Sequence, residues 1–305
     1  MKKIFSCLGA LVLAVLALPC IAQAGGKFTD WSTPTNLGPA VNSSFGEAGA
    51  AISKNGLSLY LNSNRPGGLG ETDIYVSQRS SVEEPWGPPV NVLVLNSAGV
   101  EQAPALSRDS HYLFFSTDRP GGMGGLDIWV SRREDIHDDF DWETPVPITE
   151  INSSVNDAGP AYFENEEGSP QLYFQSQRAG GAGLADIYRT ELQEDGTWSA
   201  PQRVAELSTP FQEQRPSIRF DGLEIVFQSN RPPSAGFDLW VSTRESVTDA
   251  WSSPVRIKNV NSPQTDAQPY LSGDGMTLYF TSDRAGGLGA NDIWVSTRER
   301  RRGNE

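Results

Sequence analysis

The chain repeats one pattern of apolar and polar positions five times. Each copy has an apolar run, a polar residue and an arginine, a glycine-rich loop, an aspartate and a second apolar run. The copies are LYLNSNRPGGLGETDIYVS (59–77), LFFSTDRPGGMGGLDIWVS (113–131), LYFQSQRAGGAGLADIYRT (172–190), IVFQSNRPPSAGFDLWVS (225–242) and LYFTSDRAGGLGANDIWVS (278–296). Short apolar runs bounded by glycine and polar residues predict a strand, a loop and a second strand in every copy.

Tryptophan marks the same period. Each of five tryptophans is followed by a proline two or three residues later, and the intervals between them are 55, 56, 56 and 53 residues: Trp31, Trp86, Trp142, Trp198 and Trp251. A fixed period of this size in strand-rich sequence predicts a propeller or a solenoid. Helical repeats are excluded, because no segment beyond the N-terminus keeps an apolar period of about 3.6 residues.

Each period supplies four short strands, here called the inner, second, third and outer strand. In the first period they are predicted at residues 48–53, 57–62, 73–78 and 86–92. Asn55-Gly56 suits the tight turn between the first two, and an outer edge tolerates the prolines of the fourth. The second and third strands are almost continuously apolar, which predicts burial on both faces between stacked blades.

The order of strands at the two ends of the chain predicts how the ring closes. The repeats begin with an outer-type strand at residues 31–37 and end with a third-type strand at 292–297. We therefore expect the first strand to complete the last blade, since closure removes exposed sheet edges. The prediction is an all-β, five-bladed propeller of four-stranded antiparallel blades over residues 31–300, after a linker (25–30) and before a charged tail (301–305). An open solenoid would need capping repeats, and none is visible.

The first 24 residues have the features of a secretory signal peptide. Two lysines precede an apolar run at residues 8–18, and a small-residue site predicts cleavage after Ala24. The run is shorter than the roughly 20 residues of a membrane span. Both cysteines, Cys7 and Cys20, lie in this segment, so the mature chain is expected to have no disulfide. We expect a periplasmic or secreted protein that does not insert in the membrane after cleavage.

The net charge of −14 narrows the classes of partner. Nucleic acid and anionic lipid both require a basic face, so an acidic chain disfavours them. Acidic charge favours solubility and neutral or cationic partners. We expect a monomer that binds an envelope protein or a glycan, with no cofactor.

Fifteen charged residues recur at three positions of the period. An acid begins each inner strand: Glu47, Glu101, Asp157, Glu213 and Asp266. An arginine follows each second strand: Arg65, Arg119, Arg178, Arg231 and Arg284. An aspartate begins each third strand: Asp73, Asp127, Asp186, Asp238 and Asp292.

A hairpin whose turn lies midway between the acid and the arginine places the two residues opposite each other at its open end. A guanidinium can hold two carboxylates, so we interpret each trio as a clamp within its blade. The alternative is that some of these groups line a ligand pocket at the axis of the ring. Repeated Asn-Ser loops on the same face, such as the one at Asn42, are expected to bond local backbone.

Two periods depart from the pattern. The fourth loses its Gly-Gly pair and places Gln212, Gln214 and Arg215 beside Glu213, and the third carries an acidic insertion at residues 164–167. Broken symmetry is where a single ligand site could lie, although drift explains it equally well.

No catalytic or metal-binding grouping emerges from the sequence. The glycine-rich loop before Asp292 is one residue too long for a calcium-binding repeat, and the two histidines, His111 and His137, are not grouped with other ligands. Glycoside hydrolysis needs two carboxylates about 5–10 Å apart, which the inner-strand acids could provide. Five equivalent acids, each with its own arginine, look paired instead. We predict no catalytic residues and no metal.

The repeat S/T-x-R, a glycine-rich loop and D-I-Y/W-V-S resembles the PD40 (WD40-like, TolB-type) propeller repeat. The resemblance covers roughly residues 31–298 and implies the propeller fold. The family includes periplasmic scaffold proteins such as TolB, and propeller domains of peptidases and lyases. It therefore implies a non-catalytic binding module in the cell envelope; the alternative is a propeller that binds or cleaves carbohydrate with acids at its axial channel.

Overall fold

A computed structural model describes residues 27–164 and 168–301 of the chain. The predicted signal peptide with its cleavage site, both cysteines, most of the acidic insertion and residues 302–305 of the tail lie outside the described residues. Within the described ranges, no helix has the length and apolar character that crossing a membrane requires.

The described chain forms five four-stranded antiparallel sheets. The first blade contains β2 (Glu47–Ile52), β3 (Ser58–Ser63), β4 (Asp73–Gln78) and β5 (Val90–Asn91). The second contains β6 (Glu101–Leu106), β7 (Tyr112–Thr117), β8 (Asp127–Arg132) and β9 (Val146–Pro147). The third contains β10 (Asp157–Phe163), β11 (Gln171–Ser176), β12 (Asp186–Glu191) and β13 (Gln202–Arg203).

The fourth blade contains β14 (Glu213–Ile218), β15 (Glu224–Ser229), β16 (Asp238–Thr243) and β17 (Val255–Arg256). The fifth contains β18 (Asp266–Leu271), β19 (Thr277–Ser282), β20 (Asp292–Thr297) and, from the other end of the chain, β1 (Thr35–Asn36). A short 3-10 helix, Leu93–Leu95, follows the first blade. Each inner strand contacts the next around the ring, and β18 contacts β2. The all-β, five-bladed propeller is confirmed.

The first strand closes the last blade as predicted. Thr35 pairs with Val295 and Asn36 with Trp294, and the Leu37 amide donates to the Ile293 carbonyl at 3.1 Å. The pairing also extends further towards the N-terminus, where the Thr29 amide donates to the carbonyl of Glu299 at 2.8 Å.

The predicted outer strands are too long. The first was expected over residues 86–92, but only Val90–Asn91 is a strand. Pro88 and Pro89 precede it and have no amide hydrogen to donate to a ladder, so regular pairing begins only after them. The third strand of this blade, Asp73–Gln78, has the predicted bounds.

The hydrophobic core lies between blades. Five apolar clusters fill the junctions of the ring. At the first junction, Tyr60 and Ile74 of one blade pack against Phe115, Trp129 and Trp142 of the next. Burial of β3 along its whole length confirms that the second strand is covered on both faces.

A second repeated arginine, which the sequence analysis missed, joins distant parts of its own blade. It lies just after the third strand, stacks on the outer-strand tryptophan and donates its Nε to a carbonyl of the turn between inner and second strands. Guanidinium and ring centre are 4.1–4.5 Å apart in four blades: Arg79 on Trp86, Arg133 on Trp142, Arg244 on Trp251 and Arg298 on Trp31.

The junction between the second and third blades lacks this arginine and also lacks an aromatic hydroxyl that the arginine contacts elsewhere. Leu192 replaces the arginine, and the preceding blade has Phe114 where the first, third and fifth blades have a tyrosine on the second strand. At the first junction that tyrosine is Tyr60, whose hydroxyl accepts from Arg133 Nη1 at 3.1 Å. The arginine and the tyrosine are thus absent from the same junction.

The junction between the first two blades contains a buried ion pair. Arg133 and Asp139 are both buried and their charged atoms lie 2.9 Å apart. Asp139 also accepts hydrogen bonds from Ser58, Tyr60 and Gln78 of the neighbouring blade. Burial opposes ionisation of Asp139, but these donors and Arg133 outweigh it and lower its pKa.

Asp139→Asn should therefore destabilise the protein in a pH-dependent way. At pH 7 it leaves Arg133 buried without a counter-ion, and we expect a loss of about 3–5 kcal/mol in the free energy of unfolding. The lowered pKa means that the carboxylate stabilises the fold above its unfolded pKa of about 3.9 and loses that contribution as pH falls through the folded value. Urea unfolding should show a smaller difference from the parent at acidic pH than at pH 7.

Glu143→Gln is the matched control, because this acid is exposed and pairs with the exposed Arg132. It should leave stability unchanged at both pH values. A difference between Asp139→Asn and the parent that is the same in acid and at pH 7 would contradict the assignment of the stabilisation to the ionised carboxylate.

Candidate functional site

Every blade contains a buried ion pair between its inner-strand acid and the arginine after its second strand. All five acids are 0% exposed. The nitrogen–oxygen distances are 3.0 Å for Arg65–Glu47, 3.1 Å for Arg119–Glu101, 2.6 Å for Arg178–Asp157 and 3.1 Å for Arg231–Glu213, and Arg284 pairs with Asp266. The predicted meeting of acid and arginine at the open end of the hairpin is confirmed.

Each arginine also binds three other parts of its blade. In the second blade, Arg119 Nη2 donates to the Leu95 carbonyl, and Nε donates to Thr117 Oγ1 at 3.3 Å. Its guanidinium lies 5.2 Å from the ring centre of Trp129 on the third strand. The same contacts recur in the other blades, so the aromatic residue of the repeat provides a stacking surface for the arginine.

The Asn-Ser loops supply the remaining partners of the acids. The Ser97 amide and hydroxyl donate to Glu101 at 2.8 and 2.6 Å, and the Thr117 hydroxyl donates at 2.7 Å. Asn96 bonds both the amide and the carbonyl of Ile74 on the preceding blade, at 2.7 and 2.9 Å. The loop was expected to bond local backbone, but its asparagine reaches a strand 22 residues away. It therefore joins two blades.

The third-strand aspartates do not bind these arginines, so the prediction of an arginine shared by two carboxylates is wrong. Asp127 instead accepts backbone amides of its own glycine-rich loop, from Met123 at 2.6 Å and Gly124 at 3.0 Å. Gly121, at a φ of 102°, gives the loop a backbone conformation that few other residues adopt. Three other aspartates hold their loops in the same way: Asp73, Asp186 and Asp292.

The fourth blade replaces this contact with an ion pair. Its loop has Pro233-Ser234 where the others have two glycines, and it is one residue shorter between the arginine and the aspartate. Asp238 instead accepts two hydrogen bonds from Arg256 on the outer strand, at 2.8 and 2.9 Å. This is one physical consequence of the departure seen in the sequence.

A cavity of about 80 Å³ lies on the axis, bordered by the inner strands of all five blades. The alternative that the inner-strand acids line an axial pocket does not apply to this cavity, because none of its lining residues is acidic. Three lining residues are cationic: Lys54, Arg108 and Arg215. Every charged residue that lines the cavity is thus a cation, although the protein as a whole is acidic.

The third residue of every inner strand has a left-handed backbone conformation and lines this cavity. The φ values are 67° for Gly49, 55° for Ala103, 64° for Gly159, 53° for Arg215 and 49° for Gln268. Each lies within a break in the pairing register, as in a β-bulge. Left-handed backbone strains residues other than glycine, so the strain at Ala103, Arg215 and Gln268 has to be supported by their surroundings.

The bulges are tied to the preceding blade by side chains. The amide of Ala103 donates to Asn62, that of Gly159 to Ser116, that of Arg215 to Gln175 and that of Gln268 to Gln228, over 2.8–3.2 Å. At the fifth junction the corresponding residue is Thr281, whose buried hydroxyl has no partner. Four of the five inner junctions therefore share one hydrogen bond.

Arg215 occupies the axis, at the departure that the sequence marked in the fourth period. Its Nη2 donates to Gln102 Oε1 of the second blade at 2.7 Å. A side chain on Gly159 would have its Cβ only 2.9 Å from Cδ of Arg215, so glycine leaves room for the arginine to cross. Burial lowers the pKa of Arg215 to about 10, which still leaves it charged at neutral pH.

The histidines take no part in this cavity. His111 lies in a turn, where Nδ1 is 2.9 Å from the Arg133 carbonyl, and His137 is exposed. Among the described residues, no group of three or more histidine, cysteine, aspartate or glutamate side chains is placed to hold a metal ion.

Known proteins resemble this chain in fold alone. No family model matches the chain, and no curated protein matches it significantly. Among solved structures, the native arabinanase of Bacillus subtilis is 13% identical with a TM-score of 0.57, covering 86% of this chain and 96% of its own.

Two further structures give the same picture. The endo-arabinase of Bacteroides thetaiotaomicron is 16% identical with a TM-score of 0.58, covering 92% of this chain and 100% of its own. A putative TolB from Agrobacterium tumefaciens is 15% identical with a TM-score of 0.50, covering 84% and 91%. The likeness extends to glycan-cleaving propellers and to TolB, and it establishes the propeller architecture.

Arg119→Ala tests whether the buried pairs support the fold. It leaves Glu101 buried and without a cation, so we expect a loss of about 3–5 kcal/mol in the free energy of unfolding, measured in urea at neutral pH. Arg119→Lys should recover only part of this loss, because an ammonium cannot reproduce the directed contacts of the guanidinium.

Arg132→Ala is the control, since this arginine is 47% exposed and its partner Glu143 is 60% exposed. It should unfold at the same urea concentration as the parent. If Arg119→Ala were as stable as that control, the pair would be solvated in solution and free to serve a ligand.

Proposed function

We propose that this chain is an exported, monomeric propeller that binds a component of the cell envelope without catalysing a reaction. Export rests on the predicted signal peptide, and the envelope role rests on the resemblance of the repeat to PD40 propellers of the TolB type. The partner class is a protein or a glycan, and the acidic net charge disfavours nucleic acid.

The burial of the five inner-strand acids is the observation that carries the non-catalytic part of this proposal. A general acid or base must come within hydrogen-bonding reach of the substrate. Each of these carboxylates is 0% exposed and is bound to an arginine of its own blade. None of them lines the axial cavity, so they serve the scaffold.

The rival function is cleavage of a carbohydrate. Its support is the likeness to arabinanase propellers, whose identity to this chain is 13–16%. Cleavage by the usual mechanism needs two carboxylates flanking the scissile bond about 5–10 Å apart. The paired acids of this chain do not offer such a couple at the cavity.

An assay for reducing sugar released from arabinan and other polysaccharides separates the two functions. We expect the mature protein to release none above the buffer blank, because its inner-strand acids do not reach the solvent. Release by the parent that disappears in Glu101→Gln or Asp157→Asn, with circular dichroism unchanged, would overturn the non-enzymatic proposal.

Exposed apolar side chains support a binding surface on one face of the ring. The tips of four glycine-rich loops carry one each: Leu69, Met123, Leu184 and Leu288. These loops all join second and third strands, so they lie on the same face. Large apolar groups that remain exposed at equivalent positions are typical of contact surfaces for a partner.

Capture from an envelope extract tests this surface. Immobilised mature protein should retain a component that is identified by mass spectrometry, and the double variant Leu184→Asp, Leu288→Asp should retain at least about tenfold less. The control is Val146→Asp with Val255→Asp, which changes exposed valines on two outer strands and should capture as the parent does. Equal loss in both variants, or no specific component from the parent, would count against the proposal.

A further inference from the structure

The axial cavity contains a cation that no acid neutralises. Among the described residues, no carboxylate forms an ion pair with Arg215, and its Nη1 is buried without a hydrogen-bond partner. Its one side-chain bond goes to the neutral amide of Gln102. Arg215 as a whole is half-buried, but a buried nitrogen that makes no hydrogen bond is unfavourable, and an anion at the axis would satisfy it.

A second polar group at the same place also lacks a partner. Gln268 lines the cavity, and its Oε1 is buried without a hydrogen bond. The amide can turn so that its NH₂ group donates to an anion, because amide nitrogen and oxygen are interchangeable in position. Arg215 and Gln268 occupy the same position of two inner strands, so the left-handed backbone that all five blades share there places both residues at the cavity.

Apolar side chains form part of the cavity wall. They include Ile52, Leu106, Ile218 and Leu271, and the ring of Tyr270 lies among them. Pockets of this kind, with an apolar wall and a few placed polar groups, are typical of small-molecule sites.

A lysine at the edge of the cavity adds a further positive charge. Lys54 lies in the turn between the inner and second strands of the first blade and is exposed. A positive residue at the rim favours the approach of an anion. The cavity therefore combines a positive interior, an apolar wall and a positive rim.

We propose that the axial cavity binds a carboxylate carried on an apolar body, with the guanidinium of Arg215 as its main partner and the amide of Gln268 as a second donor. This inference rests on the proposed function as a binding module and names the chemical class of one ligand. Arginine suits the role because its planar fork can donate two parallel hydrogen bonds to a carboxylate. A cavity of about 80 Å³ accepts the charged group and the few carbons next to it.

The same chemistry has two sources, a free organic acid and the C-terminus of a peptide. Calorimetry with the mature protein distinguishes them using two matched pairs of probes. The first pair is 4-methylpentanoate and 4-methylpentanamide, and the second is a hexapeptide ending in leucine with a free or an amidated C-terminus. We expect the acid of at least one pair to bind about tenfold or more tightly than its amide. The pair that shows the preference identifies the source.

Arg215→Met tests the assigned residue. It should abolish the preference for acid over amide, and without ligand its thermal midpoint should equal or exceed that of the parent, because an unpaired buried charge has been replaced by an apolar group. Arg203→Met removes an exposed arginine on an outer strand and should keep the preference. Gln102→Ala removes the acceptor of Arg215 but keeps the cation, so it should still bind the acid more tightly than the amide. If Arg215→Met does not fold, this variant provides the test of acid preference at the same site.

Equal binding of acid and amide by the parent, or no binding of either acid, would overturn the inference. So would an acid preference that survives in Arg215→Met. These failures are separable from failure of the proposed function, because capture of an envelope component through the loop tips does not require Arg215. If the parent captures an envelope component but binds neither acid, the proposed binding function is retained and only the proposed axial site is rejected.

Discussion

The buried pair between a carboxylate and a guanidinium is the interaction on which every blade depends. One arginine touches the start of the inner strand, a carbonyl of the preceding loop, a hydroxyl at the end of the second strand and an aromatic ring of the third strand, as Arg119 does. Since the acid has no access to water, its charge has to be neutralised where it lies. The arrangement recurs in all five blades and gives them the same geometry. It also keeps these acids out of contact with solvent and bound within the scaffold.

Much of this fold follows from the sequence, because its governing contacts are local or periodic. The third strand of the first blade was predicted with its bounds, and the inner strand was displaced by one residue, 48–53 against Glu47–Ile52. Acid and arginine meet because the hairpin between them folds at its midpoint. The length of the outer strands was overestimated, because the tryptophan and prolines identify the segment but most of its residues do not pair with the third strand. The aspartates were assigned to the wrong partner because a charge pattern does not say that backbone amides of a glycine-rich loop will compete with a nearby guanidinium.

The contacts that escaped prediction join residues far apart in the chain. Arg133 meets the hydroxyl of Tyr60, 73 positions earlier, and Arg215 meets Gln102, 113 positions earlier. A signal for the first contact exists in the repeats, since the arginine is absent in the third blade where Leu192 stands and the tyrosine is absent in the blade before it. A signal for the second is weaker. The fourth period was marked as unusual, but only the ring geometry places Arg215 on the axis. The positions that recur in every blade thus form the scaffold, whereas Arg215, which occurs in one blade only, gives the axial cavity its distinctive lining.

The seam of the ring has a consequence for how the protein is made. The side chains of Asn36 and Asp292 are hydrogen-bonded although 256 residues separate them. Closing so long a loop is slow, because its entropy is lost before the contact forms. A nascent chain therefore cannot finish its last blade until nearly all of it has been synthesised, and it stays open meanwhile. A chain truncated before β20 therefore cannot close the ring, because its first strand has no strand to pair with.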